Sequence, residues 1–333
     1  MSKIAVMGAG AWGTTFAKVL ADAGCDVMLW ARRPDLADEI NTEHRNGDYL
    51  PGIELPAGVT ASASVEEVLA GASQVYLAVP SQSLRSNLEQ WGPHLPADAI
   101  LVSLMKGVEK DTGLRMSEVI ADVTGFSLNQ IAVVSGPNLS LEIAAEQPTA
   151  SVAASASLET AELVAKASSN SYFTTFTNTD VIGTEFGGIL KNLIAVAIGI
   201  VNGVGYGQNT KASIMTRGLA EITKFAVAHG ARRRTMFGLA GLGDLIATSE
   251  SSLSRNFRAG EMLGKGYTKR EVLKRMQQTA EGLSSVEPVL ESANQKGIEM
   301  PIVAQVSDVL NGRMKPQEFG RQLNLADDVE VEF

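Results

Sequence analysis

Three glycines near the N-terminus have the spacing of a phosphate-binding turn. Gly8, Gly10 and Gly13 follow a strand-like run, residues 3–7, and precede a stretch of helical period, residues 14–23. One glycine allows a tight turn, one lets the backbone approach a pyrophosphate, and one lets helix and strand pack closely. The helix N-terminus adds free N–H groups and a partial positive charge. Glycine triplets also occur in unrelated loops, but the flanking strand and helix predict a dinucleotide site here.

The end of the second predicted strand carries the residues that would distinguish NADP from NAD. An NAD-selective site places an acidic residue there, which accepts the 2′-hydroxyl of the adenosine ribose. In this chain, residues 26–30 are followed by Ala31, Arg32 and Arg33. Guanidinium groups pair with the oxygens of a 2′-phosphate and stack on adenine. We therefore expect NADP to be preferred and NAD to be used less well. The alternative is a solvated basic pair that opens the next helix.

Lys191 is the most unusual charge in the chain. It lies in an apolar helical stretch, residues 187–198, that should be buried. An unpaired ammonium is costly to bury, so this lysine either extends its stem to solvent or faces a polar cavity. Gly187 and Gly188, one turn earlier, would let another backbone or a ligand come close. In a polar cavity Lys191 could act as an acid or a base, and the residues alone leave both interpretations open.

A second group of chemically capable residues lies in the C-terminal half. It comprises Gly241, Gly243, Asp244, Thr248, Ser254, Arg255 and Asn256. Glycines free a backbone to wrap around a ligand, and Ser254 is a suitable cap for a helix that begins at Arg255. An arginine at a helix N-terminus is unfavourable to the helix dipole unless an anion lies between them. The group therefore predicts a phosphate site, and the alternative is a surface turn with a capped helix.

The composition favours two folded domains and excludes several kinds of site. A chain of 333 residues, 45% of them apolar, is long enough for two cores. The net charge of −9 argues against a broad nucleic-acid surface, and the basic run 232–234 is expected to be a solvated turn. The single cysteine excludes an intramolecular disulfide and fits a reducing cytosol. The three histidines are scattered, so no metal site is expected.

The segments that target a protein to a membrane or for export are not expected in this chain. No signal pattern precedes the first strand, and the longest apolar run, residues 193–201, is too short to cross a bilayer. We therefore expect a cytoplasmic protein without a membrane span.

The predicted secondary structure that would position these candidate site residues differs between the two halves of the chain. In the first half, short apolar runs alternate with helical periods, which is the pattern of a wound parallel sheet in an α/β domain. The predicted strands are residues 3–8, 26–30, 59–61, 74–79, 99–104, 131–135, 149–153 and 172–177. Ligands bind outside the carboxyl ends of such strands. The loops 79–81, 105–107 and 135–138 are therefore candidates for the site, and the loop 47–58 is long enough to be a flap.

From about residue 181 onward, helical periods replace this alternation. They cover residues 182–202, 213–229, 256–263, 269–278, 285–296, 300–311 and 316–319. His229 and Gly230 have the pattern of a helix C-terminus with a glycine cap. We therefore predict two domains, a dinucleotide-binding domain over residues 1–180 and an all-helical domain over residues 181–333. The active site is expected in the cleft between them.

Eight short motifs together resemble the bacterial NAD(P)-dependent glycerol-3-phosphate dehydrogenases. They are GAGAWG at 8–13, YLPGI at 49–53, KG at 106–107, SGP at 135–137, LKN at 190–192, GLGD at 241–244, SRN at 254–256 and AEG at 280–282. The resemblance covers essentially the whole chain. It implies reversible reduction of dihydroxyacetone phosphate to sn-glycerol 3-phosphate with NAD(P)H, for phospholipid synthesis. It also implies a Rossmann-like N-terminal domain, a helical C-terminal domain similar to that of 6-phosphogluconate dehydrogenase, and a homodimer.

The same resemblance assigns roles to individual residues. It implies that Lys191 is the proton donor and acceptor, with Lys106 adding positive potential. The substrate contacts that it implies are Lys106, Gly136, Asn138, Lys191, Asp244, Ser254, Arg255 and Asn256. The cofactor contacts that it implies are Gly8, Gly10, Ala11, Trp12, Gly13, Arg32, Arg33, Tyr49, Lys106, Ser140, Arg255, Thr279 and Glu281.

The sequence departs from the usual family pattern at three of these positions. Asn138 and Ser140 stand in a motif where the family more often has a small hydroxyl residue, an aromatic residue and alanine. Thr279 replaces a more usual apolar residue. None of these changes removes a reacting group, and the Asn138 amide can still hydrogen-bond a substrate hydroxyl.

Two other functions are compatible with the same elements. A β-hydroxyacid or opine dehydrogenase would share both domains but act on an acid substrate. A nucleotide-sensing module would bind the reduced cofactor and release it unoxidised.

Overall fold

A computed structural model describes residues 3–251, 254–276 and 280–320. The chain divides into two compact units, and the division falls between Glu185 and Phe186. The first unit is built around a β-sheet, and the described part of the second unit consists of helices and their connections.

Eight strands form one sheet in the first unit. They are β1 (Lys3–Met7), β2 (Asp26–Trp30), β3 (Val59–Ser62), β4 (Gln74–Leu77), β5 (Ile100–Ser103), β6 (Ile131–Ser135), β7 (Thr149–Ser155) and β8 (Phe173–Asn178). Their order in the sheet is β3-β2-β1-β4-β5-β6-β7-β8. The order reverses between β1 and β4, and such a switch point opens a crevice for ligands at the carboxyl ends of the strands. Each predicted strand is present, with small differences at its ends.

One pair of strands departs from the predicted parallel sheet. β7 runs antiparallel to β6, with Ser135 opposite Val152, whereas the other neighbouring pairs of these eight strands are parallel. The connection between them contains only a short helix, Ser140–Ala144. At about 1.5 Å per residue, this helix is too short to return the chain to the start of a parallel strand. The amino end of β7 therefore lies at the edge where β6 ends.

Helices cover both faces of this sheet. They are α1 (Ala11–Asp22), α2 (Pro34–Glu43), α3 (Val65–Leu69), α4 (Leu84–Trp91), α5 (Met116–Thr124), α6 (Ser140–Ala144) and α7 (Leu158–Ser168). Alternate residues of β1 belong to different cores. Ile4 shares one core with Phe16 of α1, and Ala5 shares the other with Trp91 of α4. Burial on both faces explains why the central strand is a continuous apolar run.

Longer helices build the second unit. They are α8 (Val181–Val204), which begins before the division, α9 (Gln208–Ala228), α10 (Arg233–Met236), α11 (Asp244–Glu250), α12 (Arg255–Gly264), α13 (Lys269–Arg275), α14 (Glu281–Gln295) and α15 (Pro301–Leu310). A π-helical turn, Leu239–Gly243, leads directly into α11. The sequence did not predict α10, this turn or α11. Arg233 and Arg234 are exposed as expected, but they lie in α10 rather than in a turn.

α8 is a core helix. Every residue from Gly183 to Val201 is buried. By length and composition, α8 is the one helix of the described residues that could cross a membrane, but 83% of its most apolar window is buried inside the protein. The next helix, α9, has His229 as its C-cap, and Gly230 follows with a φ of 97°, which confirms the predicted glycine cap.

Candidate active site

The glycine turn between β1 and α1 has the geometry that its motif predicts. Gly8 has a φ of 133°, and a Cβ there would lie 2.6 Å from the carbonyl oxygen of Ala78. A Cβ on Gly13 would lie 1.9 Å from the carbonyl oxygen of Gly8, so the close contact of helix and strand requires glycine. A Cβ on Gly10 would meet no described atom within 4 Å. The space beside Gly10 is therefore open to a ligand.

The N-terminus of α1 is suited to bind an anion. Gly10 is its N-cap and makes no side-chain capping hydrogen bond, and the first turn carries no acidic residue. The first N–H groups of a helix need acceptors, and together with the helix dipole they form a site for phosphate. The backbone of this turn fits the pyrophosphate of a dinucleotide.

Two loops that follow strands meet beside α1. Nε1 of Trp12 donates to the carbonyl oxygen of Leu104, after β5, over 3.1 Å. Nζ of Lys106 donates to the carbonyl oxygen of Gly136, after β6, over 3.2 Å. The carboxyl ends of β1, β5 and β6 share one edge of the sheet, which is why the sequence could predict that these loops gather. The structure thus brings Trp12, Lys106 and Gly136 together.

Asn138 has a partner that the sequence did not indicate. Its Nδ2 donates to Oγ of Ser151 over 3.3 Å, and Ser151 donates in turn to the carbonyl oxygen of Ser135 over 3.0 Å. Oδ1 of Asn138 is buried and has no hydrogen-bond partner in the described structure. Ser151 lies here because β7 is antiparallel to β6, whereas a parallel strand would bring its other end to this edge. Ser140 is fixed to α1, since its carbonyl oxygen accepts from Oγ1 of Thr15 over 3.3 Å.

The arginine pair lies between β2 and α2. Arg33 is the N-cap of α2, and its side chain is 48% exposed. Its Nη2 forms an ion pair with Oδ2 of Asp48, and its Nη1 lies 3.8 Å from Oδ2 of Asp35. The hydrogen bond with Asp48, assisted by the charge of Asp35, raises the pKa of Arg33. Arg32 is exposed, and so is Tyr49, beside Asp48. The pair opens a helix in solvent, and it also lies at the strand end where a 2′-phosphate would bind.

The loop that follows α2 is anchored to the glycine turn. Asn46 is fully buried, and its Nδ2 donates to the carbonyl oxygen of Ala9 over 3.0 Å and to Oγ1 of Thr14 over 2.8 Å. Leu50 is also fully buried. The residue just before the expected flap 47–58 is therefore held against the glycine turn, and no sequence motif indicated Asn46 as the residue that makes this contact.

Lys191 is buried and paired, and it does not extend to solvent. Its side chain is 8% exposed, and Nζ donates to Oδ1 of Asp244 over 2.7 Å and to Oγ1 of Thr248 over 2.5 Å. Thr248 also donates to Oδ1 of Asp244 over 3.2 Å. The two partners are four residues apart on α11, so they lie on one face of that helix. Of the two interpretations that the sequence left open, the structure selects polar surroundings within the core.

The glycines before α11 do not form a loop that wraps a ligand. They belong to the π-helical turn Leu239–Gly243. A Cβ on Gly241 would lie 2.0 Å from the carbonyl oxygen of Met236, and a Cβ on Gly187 would lie 2.3 Å from that of Ala240. The prediction of a ligand-wrapping loop is wrong because another backbone already fills the space beside Gly241. The glycines instead let α8 approach the turn that leads into α11.

The start of α12 is a capped helix N-terminus with an exposed arginine. Oγ of Ser254 accepts from the backbone N–H of Phe257 over 3.3 Å, which confirms the predicted cap. Arg255 is exposed, and the first turn of α12 carries no acidic residue. This combination is compatible with the predicted anion site, because the N–H groups of the first turn and the positive end of the helix favour an anion.

Asn256 joins the start of α12 to the start of α14. Its Oδ1 accepts from the N–H of Gly282 over 2.9 Å, so this oxygen already has a structural role. A Cβ on Gly282 would lie 2.9 Å from the same oxygen. Glu281 is the first residue of α14. Thr279, another predicted cofactor contact, lies outside the described residues.

These residues offer two kinds of chemistry. A buried ammonium held by a carboxylate can donate a proton to an oxygen that becomes negative and can stabilise its charge. The helix N-termini at Gly10 and Arg255 can hold phosphates. The described residues include no cluster of three or more His, Cys, Asp or Glu that could bind a metal ion.

Two family models match the chain. The model of the NAD-dependent glycerol-3-phosphate dehydrogenase N-terminus matches residues 3–161, and the model of the C-terminus of the same enzyme matches residues 180–321.

Individual proteins are similar to the chain over almost their full length. A glycerol-3-phosphate dehydrogenase (NAD(P)+) of Leifsonia xyli subsp. xyli is 60% identical over 98% of this chain and 89% of its own. One of Streptomyces griseus subsp. griseus is 52% identical over 94% of both chains. Among solved structures, the glycerol-3-phosphate dehydrogenase of Coxiella burnetii gives a TM-score of 0.89 at 35% identity, covering 97% of this chain and 98% of that chain.

Proposed function

The chain belongs to the NAD-dependent glycerol-3-phosphate dehydrogenase family, and from this premise we propose that it reduces dihydroxyacetone phosphate reversibly to sn-glycerol 3-phosphate with NAD(P)H. The structural observation that supports this proposal best is the buried ion pair between Lys191 and Asp244. It provides an acid in the interior of a chain whose two halves both match the family.

The first unit holds the cofactor in this proposal. The pyrophosphate binds at the N-terminus of α1, where Gly10 leaves open space. Arg32 and Arg33 bind the 2′-phosphate, so that NADP is preferred over NAD. The other cofactor contacts that we propose in this unit are Ala11, Trp12, Tyr49 and Ser140. The bound nicotinamide supplies the hydride, or accepts it in the reverse direction.

Lys191 is the proposed proton donor and acceptor. When the carbonyl carbon of the substrate is reduced, its oxygen becomes negative, and an ammonium beside it both stabilises that charge and delivers the proton. Asp244 and Thr248 hold Nζ in one place, which keeps the ammonium oriented without solvent. Lys106 adds positive potential to the same oxygen.

The substrate phosphate binds in this proposal at the start of α12. Arg255 supplies a planar pair of donors, and the helix supplies backbone N–H groups. Ser254 and Asn256 flank the arginine. The remaining proposed contacts, Gly136 and Asn138, lie in the loop after β6 and bind the part of the substrate that does not carry the phosphate. Glu281 contacts the cofactor.

The organisation of the protein in the cell is proposed from the family alone. We propose that residues 1–180 bind the cofactor, that residues 181–333 bind the substrate, and that the enzyme is a cytoplasmic homodimer that supplies phospholipid synthesis. Sedimentation equilibrium at micromolar concentration measures the oligomeric state, and a mass of one chain at all concentrations would contradict the dimer.

The activity is tested by following the near-ultraviolet absorbance of NADPH and of NADH with dihydroxyacetone phosphate present. We expect both cofactors to be oxidised, NADPH with the higher kcat/KM. The same assay with 2-oxo and 3-oxo acids as substrates is the control for a related dehydrogenase.

The outcomes separate the three functions. Turnover of the acids without turnover of dihydroxyacetone phosphate would assign the chain to another dehydrogenase specificity. Binding of NADPH without oxidation in the presence of any of these substrates would indicate a sensing module. Arg32→Ala should lower kcat/KM for NADPH more than kcat/KM for NADH. A higher kcat/KM for NADH in both the wild type and this variant would contradict the proposed preference.

A further inference from the structure

Asp48 supplies, from a loop, the carboxylate that the end of β2 lacks. An NAD-selective site has an acidic residue directly after this strand, where the chain has Ala31 and Arg32. In the folded protein, Oδ2 of Asp48 pairs with Nη2 of Arg33, which lies 15 residues earlier. A local motif could not reveal this carboxylate.

Two anchors hold Asp48 in this position. Asn46 is fully buried, and its Nδ2 donates to the carbonyl oxygen of Ala9, in the glycine turn, over 3.0 Å. The N–H of Gly47 donates to Oε1 of Glu39, in α2, over 2.9 Å. The residues just before Asp48 are thus tied to the phosphate-binding turn and to the helix that follows the arginines. The Asp48 side chain stays 58% exposed, so a ligand can reach its carboxylate.

We propose that Asp48 is the residue that lets this site accept NAD as well as NADP. With NAD, its carboxylate accepts a hydrogen bond from the ribose 2′-hydroxyl. With NADP, Arg33 releases Asp48 and pairs with the 2′-phosphate, together with Arg32. This inference rests on the proposed function, because it requires that a nicotinamide dinucleotide binds across the glycine turn.

The charges around Arg33 give the direction of the effect. The guanidinium faces two carboxylates, those of Asp48 and Asp35. A 2′-phosphate must compete with both for the same donors, whereas a 2′-hydroxyl donates to a carboxylate and meets no such competition. Asp48 therefore weakens the binding of NADP and strengthens the binding of NAD.

The test measures dissociation constants of the full-length protein for NADH and NADPH, from the fluorescence of the reduced cofactors. Asp48→Ala is expected to weaken NADH binding about tenfold, as for the loss of a hydrogen bond to a charged group, and to tighten NADPH binding severalfold. Asp48→Asn keeps an acceptor oxygen, so it should recover part of the NADH affinity. Asp35→Ala is the matched control: it removes a carboxylate from the same arginine but should leave NADH binding unchanged.

The outcomes distinguish this inference from the proposed function. Opposite changes for the two cofactors in Asp48→Ala support it. Equal weakening of both would mean that Asp48 only stabilises the loop, and no change in either would mean that the ion pair is a surface contact; each result overturns the inference alone. Failure of the wild type to bind either cofactor would overturn the proposed function as well.

Discussion

The side chain of Lys191 carries its charge where almost no water reaches it. It is 8% exposed, and its ammonium is held by Asp244 over 2.7 Å and by Thr248 over 2.5 Å. Removal of one partner of a buried ion pair leaves an uncompensated charge, which costs about 3–5 kcal/mol. A variant of Lys191 alone therefore combines a loss of chemistry with a loss of stability, and its test needs a second substitution.

We expect Lys191→Met combined with Asp244→Asn to lower kcat by roughly 10²–10⁴-fold, because the group that transfers the proton is gone. The double variant leaves no unpaired carboxylate in the interior, so its far-ultraviolet circular dichroism should match that of the wild type. NADPH affinity, measured by fluorescence, should barely change, since the glycine turn belongs to the other unit. Asp244→Asn alone keeps the ammonium but removes its carboxylate, so it should lose less of kcat and more of stability than the double variant. A wild-type kcat in the double variant would remove Lys191 from the mechanism.

Arg255 tests the phosphate site. Arg255→Ala should raise KM for dihydroxyacetone phosphate by about tenfold or more, because a charged hydrogen bond to the phosphate is lost, while KM for NADPH changes less. Arg258→Ala is the matched control, since Arg258 is exposed one turn later on the same helix. Steady-state kinetics measures both constants. An effect on kcat alone, or equal effects of the two variants, would argue against a phosphate anchor at Arg255.

Residues whose role depends on their neighbours in the sequence were predictable, and those that depend on distant partners were not. The cap at Ser254 and the turn at Gly8 follow from local rules of backbone geometry. Lys191 was recognisable as unusual, but its surroundings were not, because Asp244 is 53 residues away. Asp48 and Ser151 reach the site only through a loop and a reversed strand, and no local pattern encodes either.

Among the helices, α8 and α12 cross with their backbones in close contact. A Cβ on Gly199 of α8 would lie 2.2 Å from the carbonyl oxygen of Phe257, and a Cβ on Gly260 of α12 would lie 2.1 Å from that of Val196. The contact is reciprocal, since each helix gives a glycine to the backbone of the other. α8 carries Lys191 and α12 begins at Arg255, so this crossing sets the distance between the proposed proton donor and the proposed phosphate site.

Gly260→Ala is therefore expected to destabilise the protein by about 2 kcal/mol or more, because neither backbone can yield without moving its helix. In the fraction that folds, KM for dihydroxyacetone phosphate should rise more than KM for NADPH. Gly207→Ala is the control, since a Cβ there meets no described atom within 4 Å and the loss of a glycine N-cap from α9 should cost about 1 kcal/mol or less. Thermal unfolding and steady-state kinetics measure both effects. Equal thermal unfolding midpoints for Gly260→Ala and Gly207→Ala would contradict the proposed role of the crossing between α8 and α12.

The turn before α1 allows a similar comparison between two glycines. Gly10→Ala should fold normally, because its Cβ would enter open space, but it should weaken NADPH binding about tenfold or more, because the methyl group occupies the approach of the pyrophosphate. Gly13→Ala should fold poorly, since its Cβ would lie 1.9 Å from the carbonyl oxygen of Gly8. Fluorescence titration and thermal unfolding provide the two readouts. Normal NADPH affinity in Gly10→Ala would mean that the pyrophosphate does not bind here.

Elements with a regular period were predictable, and elements that glycine interrupts were not. The eight strands stand out as short apolar runs between helical stretches, so their existence needed no tertiary information. The π-helical turn Leu239–Gly243 was mistaken for a ligand loop because its glycines are spaced as in a flexible turn. These glycines let α8 approach the turn closely, and the sequence alone does not indicate this contact. The antiparallel direction of β7 was also missed, since strand patterns do not encode direction.

For the whole molecule, one buried carboxylate gives the stability a pH dependence. Glu221 of α9 is 5% exposed, and its two oxygens accept from the N–H groups of Ile302 over 2.9 Å and Val303 over 3.0 Å, at the start of α15. Burial raises the pKa of Glu221 from 4.5 to about 7, against the opposing effect of the two N–H donors and of Lys224. The folded protein therefore keeps the Glu221 carboxyl group protonated up to a higher pH than the unfolded chain does.

The sign of the effect follows from the two pKa values. Between 4.5 and about 7 the folded state binds the Glu221 proton more tightly than the unfolded chain does. The contribution of this group to the free energy of unfolding is therefore greatest below the lower value, falls as the pH rises, and becomes constant above the higher one. A shift of this size corresponds to about 3 kcal/mol.

Glu221→Gln should remove this dependence, because the amide does not ionise. The free energy of unfolding of the wild type minus that of the variant should fall by about 2.5 kcal/mol between about pH 5 and about pH 8, since part of the full change lies below pH 5. Urea denaturation followed by far-ultraviolet circular dichroism measures it, because the three tryptophans lie in the first unit and do not report on these helices. Glu291→Gln, exposed on α14, is the control and should give a difference independent of pH. A flat difference for Glu221→Gln would show that the N–H donors of α15, rather than burial, govern the charge of the carboxylate.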